Sequence, residues 1–262
     1  MDGQMKQELL KAVTLSEALP YIRDFNGKTI IIQFDGLKVK DEVAATLIED
    51  IALLKTIGMN VVIIQKNNKT DIVKELGKQG VMSVGISGKD GHIIGVEKKK
   101  GIIRVGEAKV DITKVDTLLL FTLMEQNYVP VIEAVGVDED FYPYELDLEE
   151  AAIKIAIAMK AEKLVFFSEI EGIYQNPEER TQVYSHICLK ELKKKREEGL
   201  VGGGFLPKID RCIEAIENGV GRIHIVSGEK MHSLLLELFT VRGIGTAIIH
   251  REDDKYAHEL GK

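Results

Sequence analysis

The feature that most constrains the fold is a repeated alternation of short β-branched runs with helical apolar repeats. Residues 29–34 read Thr-Ile-Ile-Ile-Gln-Phe, the near-continuous apolar pattern of a strand covered on both faces. A helical repeat closed by Gly58 follows at 41–58, then a second run at 60–64. The pattern recurs as helix 70–78 with strand 82–86, helix 114–126 with strand 129–134, and an alanine-rich helix 149–159 with strand 163–167. Helix 189–198, helix 209–218 with strand 222–226, and helix 231–239 with strand 247–249 complete the series. Such strand, helix, strand units build parallel sheets with right-handed crossovers. The chain is therefore predicted to form an α/β fold, a three-layer α/β/α sandwich on one mainly parallel sheet. Ahead of it, apolar residues between 8 and 25 predict helix broken at Pro20. Residues 92–110 read as hairpin strands, and 136–150 as a loop.

With 262 residues and 45% hydrophobic content, the chain can bury one large α/β core or two small lobes. Its net charge of −7 argues against nucleic acid as a partner, since no basic face is in sight. The basic run at 190–196 sits in a mixed-charge helix and reads as a solvated face. Cys188 and Cys212 form neither a CxxC pair nor a disulfide framework, and they fit buried thiols in a reducing cytoplasm. His186, His224 and His250 stand isolated, so no metal ligation is expected. No stretch reaches the roughly 18 apolar residues of a membrane span, and no basic-then-apolar leader opens the chain. A cytoplasmic location without membrane contact is the expectation.

The candidate binding element is the run Gly199-Leu200-Val201-Gly202-Gly203-Gly204-Phe205-Leu206-Pro207-Lys208. Three glycines let the backbone approach an anion closely, Pro207 suits the first turn of a helix, and Lys208 sets a cation at that helix's positive end. The arrangement suits polyphosphate; a plain loop before a helix is the ordinary alternative.

Several local signatures then coincide in one order. They are Ala18-Leu19-Pro20-Tyr21-Ile22 with Gly27-Lys28-Thr29, Ser87-Gly88-Lys89-Asp90-Gly91, Val105-Gly106-Glu107 and Ala161-Glu162-Lys163-Leu164. The glycine loop through Lys208, the run 234–240 and Gly243-Ile244-Gly245-Thr246 complete the set. Over nearly its whole length the chain resembles the N-acetylglutamate kinase family, of the amino-acid kinase superfamily. The resemblance implies the carbamate kinase-like fold and transfer of the ATP γ-phosphoryl group, with Mg²⁺, to the side-chain carboxylate of N-acetylglutamate in arginine biosynthesis. It also implies an N-lobe of about 1–136 on the acceptor side, with an N-terminal helix at 8–25, and a C-lobe of about 137–262 on the nucleotide side.

By the same resemblance, Lys208 is the second catalytic lysine, and Gly202, Gly203, Gly204 and Phe205 are the nucleotide loop. Ser168 and Glu169 stand where Thr-Asp usually follows the strand; Glu169 either orders the nucleotide and lysine or caps a helix. Other positions depart from the family. Gln33, Phe34, Asp35 and Gly36 replace a catalytic lysine and two glycines, so a neutral amide stands where a cation would meet the transferring phosphoryl. Gln65, Lys66, Asn67 and Asn68 replace a histidine and a glycine-rich loop, and the substrate-binding segment that should follow is missing. Glu145, Leu146, Asp147, Leu148 and Glu149 replace an Asn-Ile-Asn-Ala-Asp pattern. Glu149 can substitute for its aspartate, which organises the lysines, whereas Glu145 and Asp147 place two negative charges where asparagines would hold an anionic substrate.

The resemblance to the arginine-sensitive branch of the family implies a helix from 9 to 22 that interlaces dimers into hexamers, and an arginine site at His232, Glu237, Gly243 and Gly245. Glu237 would pair with the guanidinium; the alternative places His232 and Glu237 on the solvent side of an ordinary helix. Together these departures predict an acetylglutamate-kinase-like protein impaired in catalysis. It would act as a regulatory or ligand-binding subunit, either as a homo-oligomer or paired with an active kinase. The alternative is an active kinase with a different acceptor, in which Lys66 takes over from the missing lysine.

Overall fold

A computed structural model describes residues 3–35, 41–66, 71–99, 110–176, 178–201, 205–240 and 242–254. The run at 29–34 forms β1 (Thr29–Asp35), with β2 (Asn60–Lys66) and β9 (Lys163–Ser168) on either side of it, both parallel. Outward from β2 lie β6 (Val129–Glu133) and the edge strand β3 (Ser83–Ser87). Outward from β9 lie β11 (Arg222–Ser227), β12 (Thr246–Ile249) and β10 (His186–Cys188). In this eight-stranded sheet only β11 and β12 pair antiparallel. The predicted three-layer sandwich on a mainly parallel sheet is therefore what forms.

Side-chain alternation gives the sheet two cores. Ile30, Ile32 and Phe34 of β1 pack with Val61 and Ile63 of β2 against α2 (Asp41–Thr56), α3 (Ile72–Lys78), α8 (Ser233–Leu238) and the end of α1 (Gly3–Phe25). Ile31, Val62, Ile64 and Phe166 face the other way, onto α5 (Leu148–Ala158), α6 (Leu189–Glu197) and α7 (Leu206–Glu217). The alanines of α5, with Ala151, Ala152 and Ala156 all buried, let its backbone lie close over the middle of the sheet.

Several boundaries differ from the sequence reading. Residues 114 and 115 do not begin a helix but end strand β5 (Val110–Val115), which pairs antiparallel with β4 (Ile94–Lys98). Asp116 then accepts a hydrogen bond from the Leu118 N–H at 3.0 Å and turns the chain into α4 (Leu118–Glu125). The loop expected at 136–150 contains β7 (Val135–Val137) and β8 (Pro143–Glu145), which complete a four-stranded second sheet in the order β5-β4-β7-β8. Elements of three residues carry too little periodicity to be seen in a sequence, and the same holds for β10. The N-terminal helix runs through Pro20 without a break to Phe25. A proline removes one donor from the ladder, and here only one more turn follows it. Among the described residues no helix is long and apolar enough to cross a membrane.

Candidate functional site

In the sheet β1 is the strand where the order reverses, with earlier strands on one side and later ones on the other. In open α/β sheets ligands bind outside the carboxyl ends of strands at such a point. There, beyond β9, a cavity of about 310 Å³ opens between the first turns of α5 and α7, lined by Glu149, Ser168, Glu169, Phe205, Pro207 and Lys208. Pro207 lies in the first turn of α7, where its missing N–H leaves nothing unsatisfied. Asp147 caps α5 by accepting from the Glu150 N–H at 2.9 Å, which brings Glu149 into that helix's first turn.

Lys208 is 8% exposed. Its Nζ lies 2.8 Å from Glu149 Oε1, and above the rings of Phe166 and Phe205 with 5.2 and 5.5 Å to their centroids. One turn along the same face of α7, Arg211 Nη1 reaches Asp147 at 2.8 Å and Glu149 Oε2 at 3.5 Å. Two cations and two carboxylates thus balance around the buried Lys208, with Glu149 and Arg211 partly covered and Asp147 half-exposed. An ammonium has three N–H donors; Glu149 takes one, and the others remain for a ligand oxygen. Ser168 is buried, and its Oγ accepts from the Ile170 N–H at 3.4 Å, so it shapes the turn after β9; Glu169 sits exposed on the rim. Gly202, Gly203 and Gly204 lie outside the described residues.

Gln33 is 1% exposed in the middle of the sheet, level with Ile64 of β2 and Phe166 of β9. Alternation places it on the α5 side, the side of Lys208, and its Oε1 has no hydrogen-bond partner. Lys66 ends β2 on the same side and lies 3.7 Å from Glu145. Asp35 is the register partner of Lys66, while Gly36 and Asn67 lie outside the described residues. Asp147 is engaged as cap and ion-pair partner. Gln65 departs from this group because it projects to the opposite face of the sheet, beside Glu133.

His232 and Glu237 do not converge. His232 Nδ1 lies 2.7 Å from the buried Asp50, whose carboxyl is raised above its ordinary range by burial, with His232 opposing. Glu237 is itself buried, so its solvent-side alternative does not hold. One oxygen meets His224 Nδ1 at 2.8 Å, and the other accepts from the Ile244 and Gly245 N–H groups, each at 2.9 Å. Burial pushes His224 down to about 4 against the pull of Glu237, so at neutral pH it is uncharged and donates from Nδ1. Burial alone would raise Glu237, yet His224 and the two backbone donors hold it below its ordinary value. Gly243 is left-handed, with φ 63°, as that turn requires. His224, taken as isolated in the sequence, is therefore a structural partner. Arg211 also went unseen, although its spacing of three from Lys208 on a helix was a usable signal.

Among the described residues no group of His, Cys, Asp and Glu has the arrangement of a metal site. Burial pushes the Cys212 thiol up to about 12, which makes it inert.

A parallel sheet with a buried lysine at the start of a helix beside its switch point defines a class, the amino acid kinase fold. Residues 66–227 match the Amino acid kinase family. The chain is 36% identical to the acetylglutamate kinase of Caldanaerobacter subterraneus subsp. tengcongensis, an alignment covering 92% of this chain and 94% of that one. It is 34% identical to the acetylglutamate kinase of Symbiobacterium thermophilum over 93% of this chain and 99% of that one. The chain belongs to the acetylglutamate kinase family. Among solved structures, an N-acetylglutamate synthase from Neisseria gonorrhoeae superposes with a TM-score of 0.75 at 23% identity, over 92% of this chain and 65% of the synthase. Carbamate kinase from Giardia lamblia superposes with a TM-score of 0.60 at 13% identity, over 86% of this chain and 99% of that one. At these identities the two structures speak to the fold alone.

Proposed function

We propose that the protein binds ATP with Mg²⁺ in the cavity between α5 and α7, in the cytoplasm, and phosphorylates N-acetylglutamate feebly or not at all. It then serves as a regulatory or ligand-binding subunit. The observation that carries this reading is Gln33, a buried neutral amide with an unsatisfied oxygen where the family places a catalytic lysine. Phosphoryl transfer rests on positioning and on neutralising charge at the transferring group. Removal of one preorganised donor or charge typically costs a factor of about 10² to 10³.

Lys208 and the N-terminus of α7 are the groups that would meet the polyphosphate, and Glu149 holds the lysine for them. Mg²⁺, when bound with the nucleotide, would neutralise phosphate charge. The Gln33→Lys variant alone is expected to leave N-acetylglutamate turnover at the parent's level, because the acceptor segment and the asparagines are missing too. Substantial turnover in that single variant would refute the account.

A second reading, an active kinase with another acceptor, draws on Lys66. It stands on the α5 side of the sheet one strand away from Gln33, with Glu145 its partner. Release of ADP from MgATP with any member of a panel of amines and carboxylic acids would favour it. For assembly, Leu9, Val13 and Leu19 of α1 are about half exposed in the single chain, which supports association through that helix into a dimer, a hexamer or a complex with an active kinase. Arginine at Glu237 would have to displace His224 or the Gly243–Gly245 turn; a thermal shift with arginine tests this directly.

A further inference from the structure

The C-terminal ends of β2, β6 and β3 carry a second polar cluster, on the opposite face of the sheet from Lys208. Alternation sends Gln65 the way of Val61 and Ile63, and Glu133 the way of Val129 and Val131, onto the α2 and α3 side. Ser87 shares its face with Gly85, where a Cβ would meet Val73 of α3 at 3.5 Å. Gln65 is level with Glu133, and Glu133 is level with Ser87, so the three form one row across adjacent parallel strands.

Gln65 and Ser87 are each 6% exposed, and the buried Ser87 Oγ has no hydrogen-bond partner among the described residues. A buried hydroxyl left in this state is unfavourable in the empty protein, and a ligand that donates to it relieves the cost, with the Gln65 amide oxygen beside it as a further acceptor. Over the row lies a cavity of about 450 Å³, within the range of small-molecule sites. Its other walls are the first turn of α3 and the turn at Lys89 and Asp90. Asp71 and Asp90 each use one carboxylate oxygen, for the Lys74 and Ser87 N–H groups. With Glu133 they make three carboxylates against one lysine among the described residues that line the cavity.

We propose that this cavity binds a small organic cation through a primary ammonium group. The three N–H donors of an ammonium match the Glu133 carboxylate, the Gln65 amide oxygen and the Ser87 hydroxyl. The excess of carboxylates selects a net positive ligand such as a diamine or a basic amino acid, and Lys89 at the rim can meet a carboxylate of the latter. The site is separate from the nucleotide cavity and does not depend on phosphoryl transfer.

Calorimetric titration of the full chain with putrescine, L-lysine and L-glutamate tests it, alongside thermal melting. Saturable binding of at least one of the two cations is expected, with little binding of glutamate. A rise in Tm of about 3 °C or more at saturation should accompany it. Glu133→Gln, at an exposed position that tolerates change, should weaken that binding about tenfold or more, and Gln65→Leu should do the same. Lys208→Ala should leave it intact. The proposal is overturned if neither cation binds saturably, if glutamate binds as well as they do, or if a folded Glu133→Gln protein keeps the parent affinity.

Discussion

Lys208 Nζ lies 2.8 Å from Glu149 Oε1, with the two side chains 9% and 19% exposed. The first turns of two helices meet at that ion pair, which fixes the buried cation of the nucleotide cavity. The carboxylate holds this well-covered lysine in place, so the pair couples the packing of α5 on α7 to ligand binding.

Lys208→Ala is expected to lower MgATP affinity about tenfold or more, read by calorimetric titration. Glu149→Ala should both weaken nucleotide binding and destabilise the fold by about 1–3 kcal/mol, because it leaves a buried cation without its closest partner. Arg211→Ala should be milder, since Lys208 keeps Glu149.

Gln33→Leu should raise stability by about 1–2 kcal/mol, because a buried oxygen without a partner is replaced by an apolar side chain of similar size. Urea unfolding would show this as a higher midpoint with an unchanged slope. MgATP binding should be unaffected.

Stability should fall as the solution is acidified. His224 titrates near 6.5 in the unfolded chain and about 4 in the folded one, so the unfolded state takes up its proton first. The contribution is fully present above pH 6.5 and is lost as the pH falls to about 4, at most about 3 kcal/mol. His224→Asn should flatten urea-derived stability over that window, although it will be less stable than the parent at pH 7.

Gly245→Ala should destabilise by about 2–3 kcal/mol. A Cβ there would lie 2.1 Å from the Ile225 carbonyl oxygen, a backbone atom that cannot give way cheaply. Circular dichroism melts of this variant measure the effect.

The sheet was legible because its central strands are continuous β-branched runs and its crossover helices are long enough to display their period, as at 149–159. The short strands β7, β8 and β10 were not, because three residues pair only where tertiary contacts hold them. Within the site, the meeting of Lys208 with Glu149 followed from the resemblance, and the structure brings them together. The partners of Glu237 and His232 were hidden, because His224 is thirteen residues from the first and Asp50 far from the second; only folding makes them neighbours. Likewise the opposite facing of Gln33 and Gln65 depends on which residue of each strand points to which core, a matter of register.

The most direct test of the central claim is to measure MgATP binding and N-acetylglutamate-dependent ADP release on the same preparation, beside the acetylglutamate kinase of Caldanaerobacter subterraneus subsp. tengcongensis. A clear rise in Tm with MgATP, joined to turnover at least about a hundredfold slower than that enzyme's, is the predicted result. Turnover within about tenfold of it would contradict the account, and the neutral Gln33 would then have to be reconciled with full phosphoryl transfer.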